Sequence, residues 1–486
     1  MPLTWPELLA ELRRADLLVG APAQGPEPSA LTADSRAVVP GSVYLAVRGS
    51  QTDGHRFVPD ALRRGAAAVI VETAASPGAP EIVVRDGRRA ALVLGAAWYE
   101  HPARRLTLIG VTGTNGKTTT TGLIRHLLNA SGTAGSIGTL GAFDGMGEAV
   151  LSTAGTLTTP GPIDLQATLA AMVQRGVDRV TMEASSHSLD QGRLDGLRFA
   201  AGVFTNLTRD HLDYHGTMES YLAAKLKLGG MVTEGGVEVV NLDDPAWTVL
   251  PTSARRVTFG LHPASDVRST GIVLDAAGSR FRIEGCFGTA DVLLPLLGDF
   301  NVANALAAAA CALGLGMPLP EVAARLSNSP QVPGRMELLT ETPCVVLRDY
   351  SHTPDALERA LATLRPLTRG RLVLVFGCGG DRDKGKRPIM GRIAAEGADM
   401  VVVTSDNPRT EDPAAIIDEI EQGMGDTPHV RIVDRLEAIH TVLRQALPDD
   451  TILLAGKGHE TYQVLGTEKV PFDERAIVRK AVKGEE

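Results

Sequence analysis

The stretch Leu106-Thr-Leu-Ile-Gly-Val-Thr-Gly-Thr-Asn-Gly-Lys-Thr-Thr-Thr120 decides how the rest of this sequence is read. Its first half, Leu106 to Val111, is apolar and partly β-branched, the composition of a strand buried on both faces. Its second half sets Gly113, Thr114, Asn115, Gly116, Lys117, Thr118 and Thr119 in a tight turn, and a helix-compatible segment, Gly122 to Asn129, follows. Strand, glycine turn and helix in that order make a phosphate-binding loop. Glycines let backbone N–H groups close on phosphate oxygens, and the helix N-terminus adds positive potential. Lys117 is placed to reach the outer phosphates and the Thr118 hydroxyl to ligate Mg²⁺. The usual spacing puts a glycine at position 111, where this chain has Val111; Gly110 comes one residue early. The loop predicts a nucleoside triphosphate and says nothing of its use.

Length and composition bound the rest. A chain of 486 residues has room for about two to four domains. A net charge of −9 with few aromatic residues speaks against a nucleic-acid partner. The four cysteines, Cys286, Cys311, Cys344 and Cys378, form no C-x-x-C pair and read as reduced, mostly buried thiols of a cytoplasmic protein. The N-terminus lacks the basic region and apolar core of a signal peptide. No apolar run is long enough to span a bilayer, so no membrane insertion is expected.

Three α/β units follow from the pattern. Residues 1–103 hold a helix with Trp5, Leu8, Leu9 and Leu12 on one face, then strand-like Ser42–Val47, Ala66–Val71 and Ile82–Val84, with His101-Pro102 as a linker. Residues 104–336 alternate apolar strands (Asp178–Glu183, Gly202–Leu207, Val237–Asn241, Arg256–Phe259) with helical stretches, which predicts a mainly parallel sheet covered on both faces. Residues 337–486 repeat the alternation in Cys344–Leu347, Leu372–Phe376, Met400–Thr404, Val430–Val433 and Thr451–Ala455, a second doubly wound, Rossmann-like sheet.

Polar groups gather where such sheets hold ligands, after the carboxyl ends of strands. Glu183 is placed to serve Mg²⁺ and His211 to act as a metal ligand. Asn301 and Asn304, three apart, share a helix face and either meet a nucleotide or cap the helix. Lys225 reads from composition as a solvated lysine, not distinguishable from Lys227. Four charged turns in the last unit (Asp349–Asp355, Gly377–Arg387, Asp406–Arg409, Gly456–Glu460) predict a pocket for a highly charged small molecule. Arg382 and Arg409 suit forked carboxylate recognition there.

Together these stretches resemble the Mur ligase family. The resemblance rests on Gly113–Thr119, Glu183-Ala-Ser-Ser-His187, Asn206-Leu-Thr-Arg-Asp-His211, Val332-Pro-Gly-Arg335, Asp349-Tyr-Ser-His-Thr-Pro-Asp355 and Asp406-Asn-Pro-Arg409. It implies three domains, which bind in turn a UDP-substrate, ATP and an amino acid. It implies an ATP-dependent amide ligase of cytoplasmic peptidoglycan precursor synthesis, acting as a monomer with Mg²⁺. Its partners would be UDP-N-acetylmuramoyl-L-alanyl-D-glutamate, ATP and a diamino acid. Carried over, Ser35, Ser50, Gln51 and Thr52 contact the uridine nucleotide. Thr158, Thr159, Ser185, Gln191 and Arg193 hold the muramoyl dipeptide. Lys117, Thr118, Asn304 and Arg335 serve ATP, and Glu183 and His211 serve Mg²⁺. Lys225 matches the family lysine that becomes N6-carboxylysine. Arg382, Asp406, Asn407, Pro408, Arg409, Gly456 and Glu460 match the diaminopimelate contacts, with Ser351 standing where relatives often have Ala. L-Lysine or L-ornithine in place of diaminopimelate, a folylpolyglutamate synthase, and a nucleotide-binding protein without chemistry are the alternatives. Domain closure is expected, because three substrates have to meet.

Overall fold

The computed structural model describes residues 3–49, 52–74, 80–150, 157–251, 254–275 and 278–484. The chain forms two compact units, one of Met1–Arg268 with Ala307–Pro318 and one of Ser269–Leu306 with Leu319–Glu486.

In the first unit, helix Trp5–Arg14 buries Trp5, Leu8, Leu9 and Leu12, as their spacing predicts, and a Thr4/Glu7 capping box starts it. A five-stranded sheet runs in the order Leu18–Gly20, Glu81–Val84, Ala68–Val71, Ser42–Leu45, Ala30–Thr32, antiparallel only at its first pair. Helix Gly87–Trp98, which the sequence reading passed over, packs Ala90, Ala91 and Leu94 into the same core. Its start was marked by Asp86, whose side chain accepts from the Arg89 N–H. His101-Pro102, expected as a linker, leads into the 3₁₀ turn Pro102–Arg105.

The larger sheet of this unit orders its strands Arg255–Gly260, Val232–Asn241, Phe199–Phe204, Thr107–Thr112, Arg179–Glu183, Ala134–Gly138 and Gly141–Phe143. All neighbours are parallel except the last pair. Leu108, Ile109, Val111, Val180, Met182 and Val203 are buried, which explains the continuous apolar runs. Parallel register brings the carboxyl ends Thr112, Glu183, Phe204 and Gly138 to one edge of the sheet.

The second unit has a six-stranded sheet ordered Glu337–Thr340, Val345–Asp349, Thr451–Ala455, Leu372–Phe376, Met400–Val403, Val430–Arg431, parallel beyond its first pair. Helices Pro354–Leu364, Lys386–Gly397 and Pro413–Glu421 cover one side, with Leu357, Leu361, Met390, Ile417 and Phe376 in one core. Arg435–Gln445 and Glu474–Lys483 contribute Ile439, Val442 and Val478 to another. The expected charged turns leave the carboxyl ends of four adjacent parallel strands. Strands Gly278–Gly285 and Gly288–Leu294 pair antiparallel, as the alternation at 267–294 predicts. No described helix is long and apolar enough to cross a membrane.

Candidate active site

The phosphate loop forms as predicted, but its helix begins at Lys117 rather than Gly122 and runs to Leu128. Gly113 has φ +151°, and a Cβ there would collide with Thr205 Oγ1. Gly116 is left-handed at φ +82° and caps the helix. The segment after strand Phe199–Phe204 braces the loop. The Thr114 N–H donates to the Asn206 carbonyl at 2.7 Å and the Asn115 N–H to Asn206 Oδ1 at 2.9 Å, while Thr205 Oγ1 donates to the Asn115 carbonyl at 2.8 Å. Lys117 Nζ donates to the carbonyls of Gly113 (3.0 Å) and Thr114 (2.7 Å). Thr118 and Thr119 are buried in the first helical turn.

Lys225 corrects the composition-based expectation. It lies on helix Met218–Leu226 but is 1% exposed, with Nζ donating to the Gly113 carbonyl at 2.6 Å and lying 4.4 Å from the centre of the Tyr221 ring. Burial, and then the charge of Lys117, hold its amine well below the ordinary lysine range. Lys227 is the solvated one, paired with Asp190 at 3.0 Å.

Glu183 ends its strand in register with Val111 and is 1% exposed. Its Oε1 accepts from the Thr139 N–H (2.8 Å) and its Oε2 from Thr139 Oγ1 (3.1 Å). Thr139 Oγ1 also lies 3.3 Å from Thr158 Oγ1, and Thr159 Oγ1 donates to the Glu183 carbonyl at 2.7 Å. Ser185 caps the short helix Ser186–Asp190 and sits 3.3 Å from Thr159 Oγ1. Arg193 donates to the Thr159 carbonyl (3.0 Å) and to Gln191 Oε1 (2.6 Å). Of the five residues expected to hold the dipeptide, Thr159, Ser185 and Arg193 are thus tied to the Glu183 segment directly or through Thr159, Thr158 through Thr139, and Gln191 through Arg193. Thr139, which the sequence reading did not single out, is the link to Glu183.

His211 is half-exposed beside Asp210, Nε2 to Oδ2 3.4 Å. Partial burial and the cations Lys117 and Lys225 lower its pKa, against Asp210. Its ring contacts His187, which burial pushes down to about 4, and His187 packs on Tyr214. Among the described residues no group of three or more His, Cys, Asp or Glu side chains converges as a metal cage. Ser35 is buried and Thr52 exposed; Ser50 and Gln51 lie outside the described residues.

The second unit holds the remaining candidates. On helix Asp299–Gly314, Asn304 Nδ2 donates to Asn301 Oδ1 at 3.1 Å, so the pair shares a face. The Arg335 guanidinium lies over the Tyr350 ring at 4.6 Å. Asp349 is drawn up by burial, and its Oδ1 accepts from Ser351 Oγ. In the four-strand cluster, Asn407 Nδ2 donates to Glu460 Oε2 (2.8 Å), and Arg409, at φ +53°, donates to the Gly380 carbonyl (2.7 Å). Arg382 and Arg409 flank Gly379, and Gly456 faces Asp406. Lys457 is buried among Asp406, Asn407 and Glu460. Its loop was legible in the sequence, but no role was read for the lysine itself.

A glycine phosphate loop on a doubly covered parallel sheet is the fold of a nucleoside-triphosphate-using enzyme. The comparisons with known proteins narrow this. Three family models match: "Mur ligase family, catalytic domain" over residues 28–104, "Mur ligase middle domain" over 111–312, and "Mur ligase, glutamate ligase domain" over 334–458. A UDP-N-acetylmuramoyl-L-alanyl-D-glutamate–2,6-diaminopimelate ligase of Geobacillus kaustophilus is 45% identical over 470 residues, covering 94% of this chain and 95% of its own. The ligase of the same name from Gloeobacter violaceus is 46% identical over 461 residues, 93% of each chain. A solved structure of a ligase of that name aligns at TM-score 0.65 and 34% identity, over 100% of this chain and 99% of the other. The chain belongs to the Mur ligase family and is an ATP-dependent amide ligase.

Proposed function

We propose that this chain joins meso-2,6-diaminopimelate to the D-glutamate γ-carboxylate of UDP-N-acetylmuramoyl-L-alanyl-D-glutamate, acting as a cytoplasmic monomer. The observation that carries the amino-acid assignment is the cluster at 406–409 and 456–460. The buried Asp406 and the part-buried Glu460 gather on Lys457 and Asn407 at the same strand ends from which Arg409 and Arg382 flank Gly379, and carboxylates and guanidinium groups on adjacent loops suit a head group with both an ammonium and a carboxylate. Lysine and ornithine lack that second carboxylate.

A γ-carboxylate oxygen of D-glutamate attacks the γ-phosphorus of ATP, and the bond to the ADP oxygen breaks. The amine of the amino acid then attacks the acyl carbon, the carbon–oxygen bond to phosphate breaks, and the nitrogen loses a proton. Lys117 offsets charge on the transferring group, and the N-terminus of helix Lys117–Leu128 adds positive potential there. Thr158, Thr159, Ser185, Gln191 and Arg193 hold the dipeptide against the Glu183 segment, while Asn304 and Arg335 serve the nucleotide.

Glu183 and the Thr118 hydroxyl, with His211, fit Mg²⁺: a lone buried carboxylate with few protein donors suits an ion that draws most of its ligands from phosphates and water. When bound, the ion neutralises charge on the phosphate oxygens. Burial draws the Lys225 amine toward the uncharged form, the form that adds CO₂; with the nitrogen's proton released, the product is N6-carboxylysine, an anion beside the loop.

The test is an amino-acid panel with one nucleotide substrate, following phosphate release and the product mass. meso-Diaminopimelate should be joined in clear preference to L-lysine and L-ornithine, and Arg409→Ala should erode that preference. Preference for lysine or ornithine, or turnover with a folate and glutamate instead, overturns the reading.

A further inference from the structure

Lys457 follows strand Thr451–Ala455 and is 0% exposed. Its Nζ donates to Asn407 Oδ1 at 3.1 Å and to Glu460 Oε2 at 3.3 Å, and lies 3.5 Å from Asp406 Oδ1. The loop carrying Asp406 and Asn407 leaves strand Met400–Val403, which is separated from Thr451–Ala455 by Leu372–Phe376. One ammonium therefore ties together two loops across an intervening strand. Asn407 completes the knot, donating to Glu460 and accepting from the Val464 N–H at 2.9 Å.

Burying an ammonium is costly, and its carboxylate neighbours offset the cost only where the geometry is good. Asp406 is 6% exposed, and its Oδ1 accepts no hydrogen bond but faces the Lys457 ammonium at 3.5 Å. A buried carboxylate oxygen so held depends on that ammonium to offset its charge. Behind the cluster, Arg435 and Glu474 are both fully buried and pair at 2.7 Å, cancelling each other. The charged groups of the pocket are then Asp406 and Glu460 against Lys457, Arg409 and Arg382, the two arginines flanking Gly379. Of these cations Lys457 is the one that faces both carboxylates. Without it their negative charge is less offset, which favours a side chain ending in an ammonium alone.

We infer that Lys457 is a specificity-determining positioning residue, which fixes the Asp406 and Glu460 loops together and sets the pocket's charge for a zwitterionic rather than a purely cationic far end. This rests on the amino-acid assignment proposed above.

The test uses the full chain with Lys457→Met and Lys457→Gln, the second keeping a donor to Asn407 without the charge. In both, KM for meso-diaminopimelate should rise about 10–100-fold, the range expected for losing a hydrogen bond to a charged group. The ratio of kcat/KM for meso-diaminopimelate to that for L-lysine should fall by a similar factor, with KM for ATP unchanged. A packing role alone would not shift that ratio toward lysine. If Lys457→Met does not fold, Lys457→Gln carries the same prediction. A wild-type ratio in the Gln variant, or an equal rise in KM for all three substrates, overturns the inference. If the wild-type protein does not use meso-diaminopimelate, the proposed function fails first, which separates the two failures.

Discussion

Lys225 Nζ donates to the carbonyl oxygen of Gly113 at 2.6 Å, inside the phosphate loop and 112 residues away along the chain. Lys117 donates to the same carbonyl at 3.0 Å, so a buried amine shares an acceptor with the lysine of the phosphate loop. Lys225→Met should therefore lower kcat about 10²–10³-fold, the usual cost of removing one stabiliser of developing charge. Wild-type protein in ¹³C-bicarbonate should show a carbamate resonance that the variant lacks. The pH dependence has a definite sign. Between the depressed folded value and the ordinary 10.5, the unfolded chain binds the extra proton, so this residue makes stability rise with pH. In CO₂-free buffer, where the amine is unmodified, the unfolding free energy of the wild type relative to Lys225→Met should rise across that pH range.

Gly113→Ala should abolish ADP and ATP binding by calorimetry. The substitution demands a left-handed backbone and places a methyl group against Thr205 Oγ1, which itself holds the Asn115 carbonyl. Gly122→Ala is the control. It lies inside helix Lys117–Leu128 with open space at its Cβ, and should stabilise the protein by about 0.5–1 kcal/mol with nucleotide binding intact.

Much of this site was legible because its signals are local. Strand, glycine turn and lysine lie within fifteen residues, and Asp406-Asn-Pro-Arg409 directly follows a strand. What was missed is set by contacts distant in sequence. Lys225 lies in helix Met218–Leu226 and Lys227 caps its end, and only docking against the phosphate loop decides which is buried. Thr139 reaches Glu183 across 44 positions and Lys457 reaches Asn407 across 50, with no pattern in the chain to announce either. The helix start was placed late because a run of threonines, weak helix formers, opens it; tertiary packing overrides that propensity.

Glu411 anchors the glycine-rich turn after Phe376. It accepts from the fully buried Arg387 through both oxygens (2.9 and 3.0 Å) and from the Asp381 N–H. The Arg387 bonds, then that amide, lower its pKa from 4.5 to about 2. A depressed carboxylate contributes stability that is complete above its unfolded value and lost as pH falls through the folded one. Hydrogen-exchange protection of the Asp381 amide should thus decline between pH 4.5 and 2 in the wild type. In Glu411→Gln it should already be low at neutral pH and change little over that window.

The most direct test of the central claim uses nucleotide substrate carrying ¹⁸O in the D-glutamate γ-carboxylate. If the γ-carboxylate takes the phosphoryl group from ATP held at residues 113–119 and is then displaced by the amine, one labelled oxygen per turnover must leave in inorganic phosphate. Label kept wholly in the peptide product and in water, with unlabelled phosphate released, would contradict the account.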